Sequence, residues 1–141
     1  MKASISFPEL SNIILEKADQ NISFGYVDDK TIHVTYPLNL GFIKSSISAD
    51  LTIVELRGSD LLVQVSAGKG TETLISTALN LMKNKIPEGL LEKWPNNRFM
   101  IHLGMIDQVR PMFDTISVNI LHVLMDGLEV EGAMKSVNNN I

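Results

Sequence analysis

Apolar and polar residues alternate along much of the chain, and this pattern predicts a sheet with one buried face and one solvent-facing face. Three pairs of alternating segments fall within residues 22–36, 46–65 and 116–134. Each pair is interrupted by residues that favour turns: Asp28-Asp29-Lys30, Gly58-Ser59-Asp60 and Met125-Asp126-Gly127. Because successive strand residues point to opposite faces, the pattern indicates three antiparallel hairpins, and residues 99–103 add a further strand.

Two segments change from the period of a strand to the period of a helix. Residues 7–18 follow Ser6, and Glu9 stands three positions later with the spacing of a capping box. In residues 71–84 five apolar residues share one helical face: Leu74, Ile75, Ala78, Leu79 and Met82. We also predict a short helical piece over residues 88–94 and a loop or single turn over residues 107–113.

These elements predict an α+β domain spanning residues 1–135, followed by a disordered tail at residues 136–141. An antiparallel sheet of about seven strands would carry two main helices on one face, since helices and strands do not alternate strictly. Both halves of the chain place an Ile-His-aliphatic strand between a helix and a hairpin, at His33 and at His102. This shared order of elements leaves open whether the two halves of the chain arose by internal duplication.

Composition narrows the classes of function. The chain has 141 residues, a net charge of −4 and no clustered Lys or Arg, so we do not expect nucleic acid as a partner. It has no cysteine, which excludes disulfides and thiolate metal sites. No apolar run reaches the length of a transmembrane helix or a signal peptide. We therefore predict a cytoplasmic protein, unless a leader has been removed.

The sequence contains few residues whose type and spacing indicate a catalytic or metal-binding site. His33 and His102 flank inward-facing aliphatic residues and should lie on the polar face, where a metal site would need a third ligand. His122 falls on the predicted face of Ile116, Val118 and Ile120, as a core or edge residue. Glu129 and Glu131 stand two positions apart in a predicted strand, so both should lie on its solvent-exposed face. No nucleophile–base pair is visible, so we predict no catalytic residue, metal or cofactor, and no enzyme.

The apolar residues exceed what a small sheet and two helices need. They make up 45% of the chain and include seven methionines, which adapt well to irregular apolar surfaces. We expect a groove for an apolar or amphipathic, lipid-like ligand between helix and sheet. The predicted lining is Leu74, Ile75, Ala78, Leu79 and Met82 from the helix and Ile53, Val63, Ile120 and Val130 from the sheet. The alternative is a protein-interaction or homo-oligomerising module without a small ligand.

Four segments together resemble the tubular lipid-binding superfamily: "FPELSNIILEKA", "ISADLTIVELRGSDLLVQV", "TLISTALNLMKNKIPEGLLEKW" and "ISVNILHVLMDGLEVEGAM". The likeness lies in the order and patterning of elements, and no individual residue carries it. It implies a twisted antiparallel sheet wrapped around a helix, with a groove that holds acyl chains and performs no catalysis. The chain is shorter than is usual in that superfamily, and it lacks the visible leader of its exported members.

Overall fold

The computed structural model of the protein describes residues 1–135, so the predicted disordered tail at 136–141 lies outside the described residues. Seven side chains are also outside the described part: Ala18, Leu38, Asn39, Leu40, Ile43, Leu81 and Met82. The described elements are, in chain order, β1 (Lys2–Ser6), α1 (Phe7–Ala18), β2 (Ser23–Asp28), β3 (Thr31–Leu40), β4 (Ile43–Arg57), β5 (Asp60–Ser66), α2 (Thr71–Met82), β6 (Leu91–Trp94), β7 (Arg98–His102), α3 (Arg110–Thr115), β8 (Ile116–Leu124) and β9 (Gly127–Met134).

The strands form two antiparallel sheets. Six strands pair in the order β2-β3-β4-β5-β7-β6, and three pair in the order β1-β9-β8. The predicted α+β class and antiparallel pairing are therefore confirmed, whereas the prediction of one sheet of about seven strands is wrong. A 3-10 turn (Leu103–Met105) and α3 separate β7 from β8, and the last hairpin pairs with the N-terminal strand β1 instead of extending the larger sheet.

Helix α1 begins as its sequence predicts. The Ser6 side chain accepts a hydrogen bond from the Glu9 backbone N–H at 3.1 Å, and the Glu9 carboxylate accepts one from the Ser6 N–H at 3.1 Å. These two bonds satisfy donors that a helix N-terminus leaves without intrahelical partners. The helix ends at Ala18 and is capped by Asp19, whose left-handed backbone (φ 53°) allows its N–H to bond the Leu15 carbonyl.

The segment predicted as a short helical piece is a strand instead. Leu91 pairs with Ile101, and Trp94 pairs with Arg98, which makes β6 the edge strand beside β7. The turn between them contains Asn96 and Asn97 with φ of 64° and 60°. Asparagine tolerates this left-handed conformation better than most residues, and it is therefore favoured in tight hairpin turns.

A β-bulge in β8 reverses the predicted face of its second half. The register shifts between Val118 and Ile120, so that Val118 pairs with Gly132 but Ile120 pairs with Glu131. An extra residue in one strand moves the following side chains to the other face. Ile120 and His122 therefore lie on the outer face of the small sheet, and the prediction that they share a face with Ile116 and Val118 is wrong.

Within residues 1–135 the structure has no helix of sufficient length and apolarity to span a bilayer. The internal duplication stays a prediction. Helix α1 and four strands are followed by α2 and four strands, but hairpin β4–β5 lies in the large sheet whereas hairpin β8–β9 lies in the small one.

Candidate functional site

The apolar face of the six-stranded sheet is covered by two separate hydrophobic clusters. In the first, Phe7 of α1 and Val123 of β8 are buried with Ile32 of β3, and Phe7 stacks on Phe24 with ring centroids 6.3 Å apart. In the second, Ile75 of α2 is buried with two sheet residues, Val63 and Phe99. Thus α1 and the small sheet cover one end of this face, and α2 covers the other end.

A cavity of about 200 Å³, partly open to solvent, lies between these two clusters. Val34 and Leu51 of its wall also pack against the first cluster, while Ile75 belongs to the second. The lining side chains are all apolar or aromatic: Ile22, Val34, Tyr36, Ile47, Ala49, Leu51, Val63, Val65, Leu74, Ile75, Ala78, Leu79, Leu91, Phe99 and Ile101. The cavity is therefore an apolar space under α2, with one phenol in its wall.

Small side chains in the wall help to explain why this space is not filled. Ala49 of β4 and Ala78 of α2 each contribute a single methyl group to the lining. Helix α2 is held against the sheet through Ile75, which is 5% exposed, and through Leu79 beside it. Leu74 and Ala78 stay half-buried and line the space.

Among the described lining residues only Tyr36 has a polar side-chain atom, and it adds almost no polar surface to the cavity. The hydroxyl of Tyr36 donates a hydrogen bond to the Gln20 Oε1 atom, and the Gln20 Nε2 atom donates to the Asp19 carbonyl at 2.9 Å. Lys85, in the segment after α2, places its ammonium 3.9 Å from the Asp19 carboxylate. The C-terminal end of α1 therefore meets the segment that follows α2 beside Tyr36.

Four of the residues predicted from the helix, namely Leu74, Ile75, Ala78 and Leu79, line this cavity, and so does Val63 from the sheet. The side chain of Met82 lies outside the described part of the structure.

The three remaining predicted lining residues lie elsewhere. Ile53 packs in the cluster around Phe7. Val130 is buried in the small sheet, and Ile120 is 40% exposed on the outer face of that sheet. The structure therefore does not bring these three side chains to the cavity.

Ten lining residues were not included in the predicted groove. Most of them carry a signal that the sequence contains, since they belong to segments whose alternation predicts strands. The ten residues are Ile22, Val34, Tyr36, Ile47, Ala49, Leu51, Val65, Leu91, Phe99 and Ile101. Only Leu91 gave no such signal, because its segment was predicted as helical.

His33 and His102 lie on the face of the large sheet opposite the cavity. The His33 Nδ1 atom is 2.8 Å from a carboxylate oxygen of Asp50, its partner on the neighbouring strand. The His102 Nδ1 atom is likewise 2.8 Å from a carboxylate oxygen of Asp60. This hydrogen bond is the main cause that raises the pKa of His102 above its ordinary value of 6.5.

The two histidines do not form one site. Asp50 is paired with Ser66 and Asp60 with His102, and Ser66 and Asp60 are the two ends of β5. At about 3.3 Å per strand residue, this separation is roughly 20 Å. In the part of the chain that the structure describes, no three His, Asp or Glu side chains are arranged to hold a metal ion.

Comparisons with family models, with curated proteins and with solved structures find no significant match for this chain.

Proposed function

We propose that the protein binds a small apolar or amphipathic molecule without catalysing a reaction. The observation that carries this proposal is the cavity of about 200 Å³ between α2 and the large sheet, with its almost entirely hydrocarbon wall. Binding pockets for small molecules are typically concave and apolar, with few polar groups that orient the ligand. The resemblance to the tubular lipid-binding superfamily agrees in ligand class and rests on the sequence pattern alone.

The volume sets the size of the ligand. An apolar protein cavity of roughly 150 Å³ takes up benzene, so a cavity of about 200 Å³ accommodates about eight carbons. Transfer of eight methylene groups from water to an apolar wall contributes about 6 kcal/mol. This corresponds to a Kd on the order of tens of micromolar. The expected ligand is a short acyl or alkyl chain, or the end of a longer one.

The experiment is native mass spectrometry of freshly purified protein, before and after extraction with organic solvent. We expect an additional mass on the 15.6 kDa chain that extraction removes. The extracted protein should then take up octane in solution. A ligand-free mass, together with no uptake of octane by the folded protein, would contradict the proposal.

A matched pair of variants locates the ligand. Ala78→Leu places three more carbons in the cavity wall, whereas Asn80→Leu puts the same side chain on the exposed side of α2. We expect at least a tenfold loss of octane affinity in the first variant, since three methylene equivalents contribute about 2.4 kcal/mol. The second variant should bind like wild type. Equal octane affinity in both variants would place the ligand elsewhere.

The alternative function, an interaction or homo-oligomerising module, is favoured by one specific feature. Strand β2 pairs with β3 only as far as Thr35, and β5 pairs with β4 only from Asp50. Between these points, residues 36–49 therefore pair only with one another. At the tip of this two-stranded ribbon Phe42 is 98% exposed. Sedimentation velocity tests this alternative: a dimer that Phe42→Ser converts to a monomer would support it, and a wild-type monomer would contradict self-association.

A further inference from the structure

The turn at the tip of the β3–β4 ribbon carries a large apolar side chain that the fold does not bury. Leu40 pairs with Ile43, so Gly41 and Phe42 form a two-residue turn, and Gly41 has the positive φ (70°) that suits such turns. Turn positions usually hold glycine or short polar residues, whereas Phe42 is 98% exposed. The phenyl ring gains no burial from the fold and is available to contact something outside the chain.

The side chains next to Phe42 are uncovered as well. A Cβ at Gly41 would meet no atom within 4 Å, and the sequence of the tip, residues 38–43, is Leu-Asn-Leu-Gly-Phe-Ile. A solvent-facing segment so rich in large apolar residues is typical of a site that docks on a protein or a membrane. The side chains described from residue 37 to residue 46 are all exposed: Pro37, Phe42, Lys44, Ser45 and Ser46.

The ribbon differs from the rest of the chain in charge. Residues 36–49 contain one charged residue, Lys44, and none of the 16 acidic residues. Because the whole chain has a net charge of −4, the ribbon carries +1 and the remainder carries −5. An anionic surface therefore attracts the ribbon and repels the remainder, which orients Phe42 toward that surface. A cation beside exposed apolar residues is the combination that an anionic bilayer favours.

The base of the same ribbon forms part of the cavity wall. Tyr36 and Ile47, which pair with each other, both line the cavity. Five residue steps separate each of them from the turn, roughly 17 Å along the strand. The ribbon thus connects an exposed apolar tip to an apolar cavity. An alkyl or acyl chain leaves water for a bilayer, so a bilayer is where a ligand of this kind is concentrated.

We propose that the tip of the β3–β4 ribbon docks on an anionic lipid bilayer. Phe42 enters the boundary between headgroups and acyl chains, and the ammonium of Lys44 lies against the phosphates of anionic lipids. This docking stands on the residues of the ribbon alone. Resting on the proposed function, the bilayer is also the source of the apolar chain that enters the cavity.

Flotation with vesicles tests the docking, with vesicles of phosphatidylcholine and phosphatidylglycerol in equal parts and vesicles of phosphatidylcholine alone. Phe42→Ser removes the apolar tip. Its matched control is Met125→Ser, because Met125 lies in the turn of the β8–β9 hairpin and is 82% exposed. Lys44→Glu reverses the charge of the ribbon. Its matched control is Lys69→Glu, which makes the same change at an exposed position in the loop before α2.

We expect wild type to float with the mixed vesicles. Phe42→Ser should weaken this binding at least about tenfold, as for keeping one phenyl ring in water. Lys44→Glu should weaken it at least about fivefold, since one cationic side chain near an anionic surface contributes about that factor. Its effect on vesicles of phosphatidylcholine alone should stay below about twofold, because no anionic lipid is present. Both control variants should bind the mixed vesicles like wild type.

Three results would overturn the docking: no flotation of folded wild type with the mixed vesicles, an equal loss in Phe42→Ser and Met125→Ser, or an equal loss in Lys44→Glu and Lys69→Glu. A dimer in sedimentation velocity that Phe42→Ser dissociates, without vesicle binding, would assign the tip to a second copy and overturn it too. Each of these results leaves octane uptake in solution, and with it the proposed function, intact. Conversely, flotation without octane uptake would support the docking and contradict the proposed function.

Fluorescence of Phe42→Trp gives a second measurement that removes no apolar group. The emission of this variant should shift to shorter wavelength when mixed vesicles are added, because the indole leaves water. Wild type is the control, since its single tryptophan is Trp94 of β6 and its emission should not change. An unchanged emission of Phe42→Trp would overturn the docking.

Discussion

Filling the cavity from α2 should stabilise the ligand-free protein. Ala78 is half-buried and lines the space under the helix. The substitution Ala78→Leu adds three carbons, and a volume of about 200 Å³ has room for them, since benzene with its six carbons fits a cavity of roughly 150 Å³. In a fully packed core the same change would force neighbouring side chains or the backbone to move.

The magnitude follows from burial and side-chain entropy. Three buried methylene equivalents contribute about 2.4 kcal/mol at ~0.8 kcal/mol each. Fixing the leucine side chain costs roughly 0.5 to 1 kcal/mol. The free energy of unfolding should therefore rise by about 1.5 kcal/mol, which for a chain of this length is about 5 °C in Tm.

Urea unfolding of the extracted protein, followed through Trp94, the single tryptophan, measures this change. The control is Asn80→Leu, which places leucine on the exposed side of the same helix and should shift the free energy of unfolding by less than 0.5 kcal/mol. A loss of 1 to 3 kcal/mol in Ala78→Leu, the usual cost of overpacking, would refute the reasoning, because it would mean that the space is already occupied by protein atoms.

Two further predictions concern the sheets. In Gly132→Ala the new Cβ would lie 2.1 Å from the Ser117 carbonyl oxygen, so thermal unfolding should show that the free energy of unfolding falls by about 1 to 3 kcal/mol. In the control Gly25→Ala the nearest atom would lie 3.9 Å from the new Cβ, and the free energy of unfolding should stay within about 1 kcal/mol of wild type. The hydrogen bond to Asp60 raises the pKa of His102 in the folded protein, so the protonated histidine stabilises the fold fully below pH 6.5, and this stabilisation is lost as the pH rises through the higher folded pKa. The urea midpoints at pH 6 and pH 8 should therefore differ less in His102→Gln than in wild type. An unchanged difference would contradict this assignment.

The local pattern predicted most elements because each is specified by its own residues. The capping residues of α1, the period of α2 and the turn at Asp126-Gly127 all act within a few positions. The hairpin of β6 had a local signal as well. Asn96 and Asn97 adopt left-handed backbone conformations in its turn. The Leu and Glu residues before them favour a helix, and the turn was therefore not predicted. Strand β1 had no such signal, since its pairing partner β9 lies at the other end of the chain.

The face of a strand can be predicted only while the alternation is unbroken. In β8 the bulge after Val118 moves Ile120 to the outer face, and no composition cue marks that position. Ile53 shows a different limit. It pairs with Val63 across two neighbouring strands, so both point to the same face, yet Ile53 packs beside Phe7 whereas Val63 lines the cavity.

The cavity itself depends on how far apart the two covering layers stand. Helix α2 is anchored through Ile75, and the other layer is anchored through Phe7 and Val123, each in its own cluster. Alternation specifies that the sheet face between them is apolar, but it carries no information on whether the layers meet. A position such as Ala78, short and directed at the gap, decides whether the space is filled. This is the reason that a substitution there tests the proposed site more directly than any substitution at a buried anchor, where loss of binding and loss of fold would coincide.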